Sequence, residues 1–397
     1  MAALGFDEAR RIVIERVRQQ CSRPAVQKVP FNEALGRVLA DEILADRDYP
    51  PFNRSVRDGF ALRAEDLPGP VKVIGEVRAG GVFEGRAGQG EAVEIMTGAP
   101  VPDGSDCVVM VEHVRRDGAS VTVDRAYKAG DNISPMGSEA QAGERVLAAG
   151  TKVGFAGIGL IASVGLSEVL VYKRPRVAVL ATGDEIVKEG TTPLPHQIRN
   201  SNSHTLAGQV RLAGGEPVVL PVAPDRMEET IALVERGLEC DLLLLSGGVS
   251  AGKYDVVEQA LERVGAEFYF DRVLIQPGQP LVFGRAQGKF FFGLPGNPAS
   301  TMVCFEVFAR AALDLLSGME ETRLPLTMAR LTRPFKHRPG LTRFLPASLE
   351  EGARLTPTGW AGSGDIGAMA RANCWLVAEP DKAEYAEGDL MQVLMRG

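Results

Sequence analysis

Three predicted strands in the second half of the chain are followed by polar residues that suit a metal ion or a phosphate. The first ends in Thr182-Gly183-Asp184-Glu185, the second in Pro224-Asp225, and the third in Ser246-Gly247-Gly248-Val249-Ser250, with Asp255 just beyond. In a sheet of alternating strands and helices, ligands bind outside the carboxyl ends of the strands. Carboxylate oxygens suit a hydrated magnesium ion, and glycine N–H groups suit an anion. The pattern therefore predicts Glu185, Asp225 and Asp255 at one edge of a sheet.

Two of these residues have a plainer interpretation when each is taken singly. Asp225 can cap a helix, because Glu228 follows at the spacing of a capping box. Glu185 can be an ordinary turn residue. The shared edge is what favours a binding site over these two interpretations.

Other loops carry weaker signals. The segment Gly293-Leu294-Pro295-Gly296-Asn297-Pro298-Ala299-Ser300 follows a predicted strand and opens a predicted helix. Asn297 is a favoured N-cap residue, and Pro298 stands where proline is favoured. Such a helix start offers N–H groups, and here the Ser300 hydroxyl, to an anion. The polar loops at residues 53–59 and 96–100 are, by themselves, typical of turns.

Regular alternation after Pro175 predicts the element that positions these loops. Apolar strands alternate with helices, which is typical of a parallel sheet covered on both faces. The predicted strands are residues 176–181, 217–222, 241–246 and 267–274, with a hairpin at 281–292. The predicted helices are residues 202–212, 226–238, 255–264 and 298–316.

The remainder of the chain has a different pattern. Apolar residues at helical spacing predict an amphipathic helix over Phe6–Gln20, and Asn32 could cap a second helix through Leu39. Short strand-like runs broken by Gly, Pro and Asp indicate a β-rich region at residues 43–123. The tail from Leu324 is similar and indicates a separate small β domain.

Composition excludes several classes of protein. The chain has 397 residues and a net charge of −7, which argues against binding to nucleic acid or to an anionic membrane surface. A local basic pocket remains compatible with this total. The five cysteines are scattered, so neither a disulfide framework nor a zinc site is expected. With no signal peptide and no membrane span predicted, we expect a cytoplasmic protein.

Seven motifs in order resemble those of one family, the molybdopterin molybdenumtransferases, which include bacterial MoeA and the E domain of gephyrin. The resemblance is collinear over nearly the whole chain, from about residue 6 to residue 394, and the seven motifs lie within it. They are PPFNRSVRDGFALR, EIMTGAPVPDGSDCVVMVE, VLATGDEIV, RNSNSHTL, LLLSGGVSAGKYD, PGQP and FFGLPGNPASTMVCFE.

The resemblance implies a multidomain α/β plus β fold with four domains. These are a discontinuous N-terminal helical and linker domain (1–43 and 136–174), an inserted β-rich domain (44–135), a central doubly wound parallel-sheet α/β domain that binds molybdopterin (175–322), and a small C-terminal β-barrel (323–397). It also implies a homodimer whose cleft lies between the α/β domain of one subunit and the β-rich domain of the other.

The resemblance further implies a reaction and its partners. Molybdate is inserted into adenylylated molybdopterin in the presence of Mg²⁺, which releases AMP and molybdenum cofactor. A separate molybdopterin adenylyltransferase would supply the substrate, and maturation partners of molybdoenzymes would receive the product.

Site residues carried over from the family fall into three groups. The catalytic residues are Asp58, Thr97, Glu185 and Asp255. The substrate-binding residues are Gly247, Gly248, Ser250, Arg272, Gly296, Asn297, Ser300 and Ser363. The metal ligands are Glu185 and Asp225.

Several positions depart from the family pattern around the oxyanion. Gln276 and Gln279 stand where lysines are usual, Pro346 stands where an arginine is expected, and Ser134 begins a segment that is usually basic. The missing positive charge could weaken the oxyanion site or move it to two other cations, Arg343 and Lys253.

Two alternative functions follow from these departures and from the central domain. One is a non-catalytic molybdopterin-binding scaffold with a degenerate oxyanion site, which the intact acidic set opposes. The other is a nucleotide-processing enzyme that uses the central domain alone. In that case the loops at residues 53–59 and 96–100 would have no role.

Overall fold

The computed structural model describes residues 2–248 and 256–396. Within them, three six-stranded sheets form the framework of the molecule. One lies in the β-rich region, one in the centre and one in the C-terminal region. No helix in this described part is both long and apolar enough to cross a membrane.

An N-terminal helix covers Phe6–Gln20, as predicted, because its apolar residues fall on one face. Ala9, Val13 and Val17 are fully buried, and they share a core with the central sheet. The predicted helix over residues 32–39 is wrong. The chain instead forms a 3₁₀ turn at Phe31–Glu33 that does not continue into a helix. The reason is Gly36, which adopts φ +72°, a left-handed conformation that a helix interior does not tolerate.

Short strands join the segments on either side of the β-rich region. Val26–Pro30 pairs with Glu168–Tyr172, and Ile43–Leu44 pairs with Arg145–Leu147, both antiparallel. Between the two later strands lies a helix, Phe155–Ser163. These pairings bring residues before and after the β-rich region together.

The β-rich region is a six-stranded mixed sheet. Two of its connections contain 3₁₀ turns, Ala64–Asp66 and Val111–His113. Arg54–Ser55 and Ile133–Ser134 form a further short pair. The strands, in their order across the sheet, are Cys107–Met110, Gly59–Leu62, Glu91–Ile95, Gly69–Val77, Ser120–Val123 and Val114–Asp117.

The strands of the central sheet are β1 (Arg176–Ala181), β2 (Glu216–Val219), β3 (Leu242–Ser246), β4 (Glu267–Arg272), β5 (Pro280–Ala286) and β6 (Lys289–Leu294). Their order across the sheet is β2-β1-β3-β6-β5-β4. Strands β2, β1, β3 and β6 are parallel, whereas β5 pairs antiparallel with both β6 and β4. The predicted doubly wound sheet and its hairpin are thus confirmed.

Helices cover both faces of this sheet. They are α1 (Asn202–Ala213), α2 (Met227–Leu238), α3 (Val256–Arg263) and α4 (Pro298–Cys304), which continues through a π turn, Phe305–Ala309, into α5 (Arg310–Leu316). Alternate residues of β1 point to opposite faces: Val177 and Val179 pack with α1 and the α4–α5 segment. Ala178 and Leu180 pack with α2 and α3.

The C-terminal region closes into a barrel of five strands. Thr342–Glu350 pairs with both Arg354–Pro357 and Cys374–Ala378, which completes the ring. The other two strands are Leu326–Leu331 and Leu390–Met395. The short strand Ile275–Gln276 pairs in parallel with the beginning of Thr342–Glu350. A helix, Ile366–Arg371, and a small pair, Phe335–Lys336 with Glu384–Tyr385, complete the region.

Candidate active site

A cleft of about 510 Å³ lies at the carboxyl ends of β1, β3 and β6. Thr182 and Glu185 reach it from the loop after β1, Gly247 from the end of β3, and Gly296 and Asn297 from the loop after β6. The C-terminal region contributes Gly364 and Ile366 to the opposite wall. The structure thus brings together loops that are more than a hundred residues apart in the chain.

The two glycines after β3 are required by the packing of the cleft floor. Gly247 and Gly248 have φ values of +95° and +62°, a region in which side chains are strained. A Cβ on Gly247 would lie 2.8 Å from the carbonyl oxygen of Thr182, and one on Gly248 would lie 2.6 Å from Cγ2 of Val257. The chain therefore turns closely against the end of β1, which leaves its backbone near any ligand in the cleft.

Two polar atoms at the cleft are buried without a partner. They are Oγ1 of Thr182 and Oδ1 of Asn202. The amide nitrogen of Asn202 donates to Oγ of Ser246 (2.8 Å) and to the carbonyl of Gly296 (2.7 Å), so this side chain ties α1 to the ends of β3 and β6. Buried polar groups are nearly always hydrogen-bonded. The two unpaired atoms are therefore available to a ligand or to water in the cleft.

The sequence interpretation named Thr182 and Ser246 only as members of polar loops, and it assigned no role to Asn202. Their motifs, VLATGDEIV, RNSNSHTL and LLLSGGVSAGKYD, are nevertheless three of the seven that carried the resemblance. Nothing in the spacing of these residues shows that Asn202 would bridge two strand ends.

The acidic residues after β1 and β2 lie next to each other. The N–H of Asp225 donates to Oδ1 of Asp184 (3.2 Å), and the N–H of Asp184 faces Oδ2 of Asp225 at 3.5 Å. Asp225 does not cap α2, whose N-cap is Arg226 with no side-chain bond. Asp225 therefore joins the loop after β2 to the loop after β1. It is not among the described residues that line the cleft.

Glu185 is exposed in the cleft wall, and its carboxylate folds over Gly183. A Cβ on Gly183, whose φ is +138°, would overlap the Glu185 carboxylate. Any side chain at position 183 would displace the Glu185 carboxylate, so this conformation requires a glycine there. Two exposed carboxylates, Glu185 and Asp225, thus stand on adjoining loops at this edge.

In residues 2–248 and 256–396, no group of three or more His, Cys, Asp or Glu side chains is arranged to hold a metal ion. Mg²⁺ is commonly held by one or two carboxylates, water and substrate phosphates rather than by a cage of protein ligands. The pair Glu185 and Asp225 suits that mode of binding. Ser250, Lys253 and Asp255 lie outside the described residues.

Asp58 and Thr97 form a pair in the β-rich region. Oδ1 of Asp58 accepts hydrogen bonds from the N–H (2.6 Å) and the hydroxyl (2.8 Å) of Thr97. These two bonds, the backbone one first, hold the pKa of the Asp58 carboxyl below its usual value. Both side chains are exposed. Among the described residues, none from the β-rich region lines the cleft at the central sheet.

The residues expected to bind substrate or oxyanion are spread over α4, β4 and the barrel. Ser300 is buried on α4, and the carbonyl of Ser363 accepts the N–H of Ala299 (2.9 Å), which ties the barrel to the start of α4. Arg272 is exposed at the end of β4. Pro346 is within a barrel strand opposite Trp375.

Gln276 and Arg343 are directly paired across two parallel strands. Nε of Arg343 is buried without a hydrogen-bond partner. Burial lowers the pKa of the Arg343 guanidinium, and the charge of nearby Arg338 lowers it further. A cation therefore stands beside Gln276, the position at which the resemblance leads us to expect a lysine.

The fold is that of a multidomain α/β protein with a cleft at the carboxyl edge of its central sheet. The chain matches the MoeA N-terminal region (domain I and II) over residues 4–165 and the MoeA C-terminal region (domain IV) over residues 328–395. Residues 178–315 match a family described as "Probable molybdopterin binding domain".

Individual relatives agree with these matches. Molybdopterin molybdenumtransferase of Staphylococcus epidermidis is 32% identical over 96% of this chain and 94% of its own, and that of Staphylococcus aureus is 33% identical over 96% and 93%. The crystal structure of a molybdopterin biosynthesis MoeA protein from Pyrococcus horikoshii superimposes with a TM-score of 0.80, at 27% identity and full coverage of both chains. The chain belongs to the MoeA family of molybdopterin molybdenumtransferases.

Proposed function

We propose that the protein inserts molybdate into adenylylated molybdopterin in molybdenum cofactor biosynthesis, a Mg²⁺-dependent reaction that releases AMP. The observation that carries this proposal is the cleft at the ends of β1, β3 and β6, in which Thr182 and Asn202 present buried polar atoms without partners. The family match over all three regions of the chain supports it. That match disfavours a nucleotide-processing enzyme built from the central region alone.

The chain's own residues suggest how the cleft would act. The glycines after β3 let the pterin phosphate approach the backbone, and Asn202 and Thr182 supply hydrogen bonds to the bound ligand. Bound to Glu185 and Asp225, Mg²⁺ would neutralise charge on the adenylyl phosphate. Either Glu185 or Asp58 is placed as an exposed carboxylate that can orient or deprotonate water.

The direct test is reconstitution of the full chain with adenylylated molybdopterin, molybdate and Mg²⁺, with AMP and active cofactor measured together. We expect the two products in equal amounts and neither in the presence of excess chelator. Ligand binding without AMP would instead support the scaffold function, and AMP without cofactor would support a nucleotide-processing enzyme. Either result would contradict the proposal.

We also propose that the catalytic cleft is completed by a second copy of the chain. Asp58 and Thr97 are held within the β-rich region, and the described lining of the central cleft includes neither residue. The helix Phe155–Ser163 carries no charged residue and buries only Ile161, while Phe155 is 89% exposed. An exposed apolar helix of this kind is typical of an interface. A homodimer would cover it and bring the two loops together.

Replacing Phe155 by glutamate is expected to shift the protein from dimer to monomer, because a charge would have to be buried in an apolar interface. Sedimentation velocity at micromolar concentration measures the change. Val82→Glu is the matched control, since Val82 is another highly exposed apolar residue, 79% accessible, in the β-rich region. A monomeric wild type, or a dimeric Phe155→Glu variant, would contradict this interface.

Molybdate binding is expected to depend on Arg343. Without a lysine at position 276, one charge-assisted contact is missing, and such contacts contribute about 1.5–3 kcal/mol, or roughly ten- to a hundredfold in affinity. We expect Gln276→Lys to tighten molybdate binding and Arg343→Ala to weaken it, each about tenfold or more.

Calorimetric titration of molybdate at low and moderate salt measures these affinities. Arg354→Ala, which removes an exposed arginine from the same barrel, is the control and should bind as the wild type does. Tight binding that neither Gln276→Lys nor Arg343→Ala changes would place the oxyanion elsewhere in the cleft.

The remaining roles are proposed from the family. A molybdopterin adenylyltransferase would supply the substrate, and a maturation partner of a molybdoenzyme would accept the cofactor. We propose that both exchanges occur in the cytoplasm.

A further inference from the structure

A second cleft, of about 580 Å³, lies at the edge of the central sheet opposite the candidate active site. Its lining includes Arg176 at the start of β1, Lys289 at the start of β6 and Arg285 near the end of β5. Residues that follow the N-terminal helix, and the segment that leads into β1, form the remaining wall. This cleft is therefore built by the sheet but shares no described residue with the active-site cleft.

Positive charge is concentrated in this second cleft. Its described lining contains a single acidic residue, Asp241, and six basic residues, which are Arg23, Lys173, Arg174, Arg176, Arg285 and Lys289. Asp241 is already engaged: Oδ2 accepts the backbone N–H of Arg176 at 2.8 Å, and Oδ1 lies 3.3 Å from Nζ of Lys289. In a chain of net charge −7, such a concentration is a local feature rather than a general one.

The six cations line one cleft in which Asp241 is the single described carboxylate. Arg285 lies against the ring of Phe290, with Cζ 5.9 Å from its centroid, and its Nε is buried without a partner. Like charges that share one cleft favour an anion between them.

We propose that this cleft binds a compact polyphosphate, an anion with two or more linked phosphate groups. Guanidinium groups match phosphate oxygens with paired hydrogen bonds, and four of the six cations are arginines. The volume falls in the range of small-molecule sites. Phe290, the aromatic residue in the described lining, is buried and offers no face on which a base could stack. The phosphate chain, rather than a nucleoside, is therefore the recognised group.

Calorimetric titration of the full chain with inorganic tripolyphosphate tests this proposal. We expect micromolar binding at low salt that weakens steeply as salt rises. The double variant Arg174→Ala/Arg285→Ala should bind at least tenfold more weakly. Arg125→Ala, which removes an exposed arginine from the β-rich region, should bind as the wild type does. Because Arg174 is exposed, the single Arg174→Ala variant serves the same purpose if the double variant does not fold.

Three results would overturn the proposal. The first is no binding below millimolar tripolyphosphate at low salt. The second is equal binding by the wild type and the cleft variants, which would place the anion at the active site. The third is tighter binding of an oligoglutamate of matched charge, which would identify the cleft as a site for an acidic peptide. AMP release by the cleft variants should remain at the wild-type rate, so the outcome is independent of the proposed molybdenum insertion.

Discussion

Replacing Glu185 by glutamine is expected to lower AMP release at least a hundredfold while leaving the fold intact. Glutamine has nearly the same shape and can still lie over Gly183, but it carries no charge to hold Mg²⁺ or to accept a proton from water. General acid–base catalysis alone contributes about 10²–10⁴-fold. Because Glu185 is exposed, its replacement leaves no buried group unpaired. The rate of AMP release at saturating substrate is the measurement.

Glu189→Gln is the matched control for this change. Glu189 lies four residues further along the same loop, is also exposed, and pairs with His204 at 3.2 Å rather than lining the cleft. It should keep wild-type AMP release. A Glu185→Gln variant that is as active as the Glu189→Gln control would remove Glu185 from the mechanism.

Gly59→Ala is expected to be strongly destabilising. Gly59 begins a strand in the β-rich sheet, and a Cβ there would overlap the backbone carbonyl oxygen of Val109 on the neighbouring strand. Backbone atoms cannot rotate away, so the two strands must separate. Overpacking of this kind costs about 1–3 kcal/mol or more. We expect a fall in melting temperature of roughly 5 °C or more and, since Asp58 precedes the strand, a loss of activity.

Differential scanning calorimetry measures the stability of this variant against Gly190→Ala. A Cβ on Gly190 meets no atom within 4 Å, and its φ is not in the left-handed region, so the control should melt as the wild type does. Equal melting temperatures for the two variants would show that the strands tolerate a wider spacing at Gly59.

The central sheet could be predicted from the sequence because its strands are short apolar runs separated by amphipathic helices. Residues 176–181 were predicted as a strand and observed as β1. Residues 32–39 had a suitable cap, but Gly36 prevents the helix that was expected there. A favourable N-cap residue at the start of this segment did not outweigh the left-handed backbone conformation of the glycine in its middle.

The site was harder to predict than the sheet because it depends on contacts between distant segments. Asp225 has the spacing of a helix cap, yet it faces the loop of Asp184, 41 residues earlier in the chain. The bridge from Asn202 to Gly296 spans 94 residues. The pairing of Gln276 with Arg343 is a property of strand register. None of these contacts has a local signal in the sequence.

The most direct test of the proposed function and its shared cleft uses two inactive chains. Co-expressed Asp58→Asn and Glu185→Gln chains with different tags are purified as the mixed dimer, and AMP release is measured. One cleft of that dimer would carry both changes, and the other would carry neither. We predict about half of the wild-type activity per dimer. Activity no higher than that of either variant alone would contradict a cleft built from two subunits.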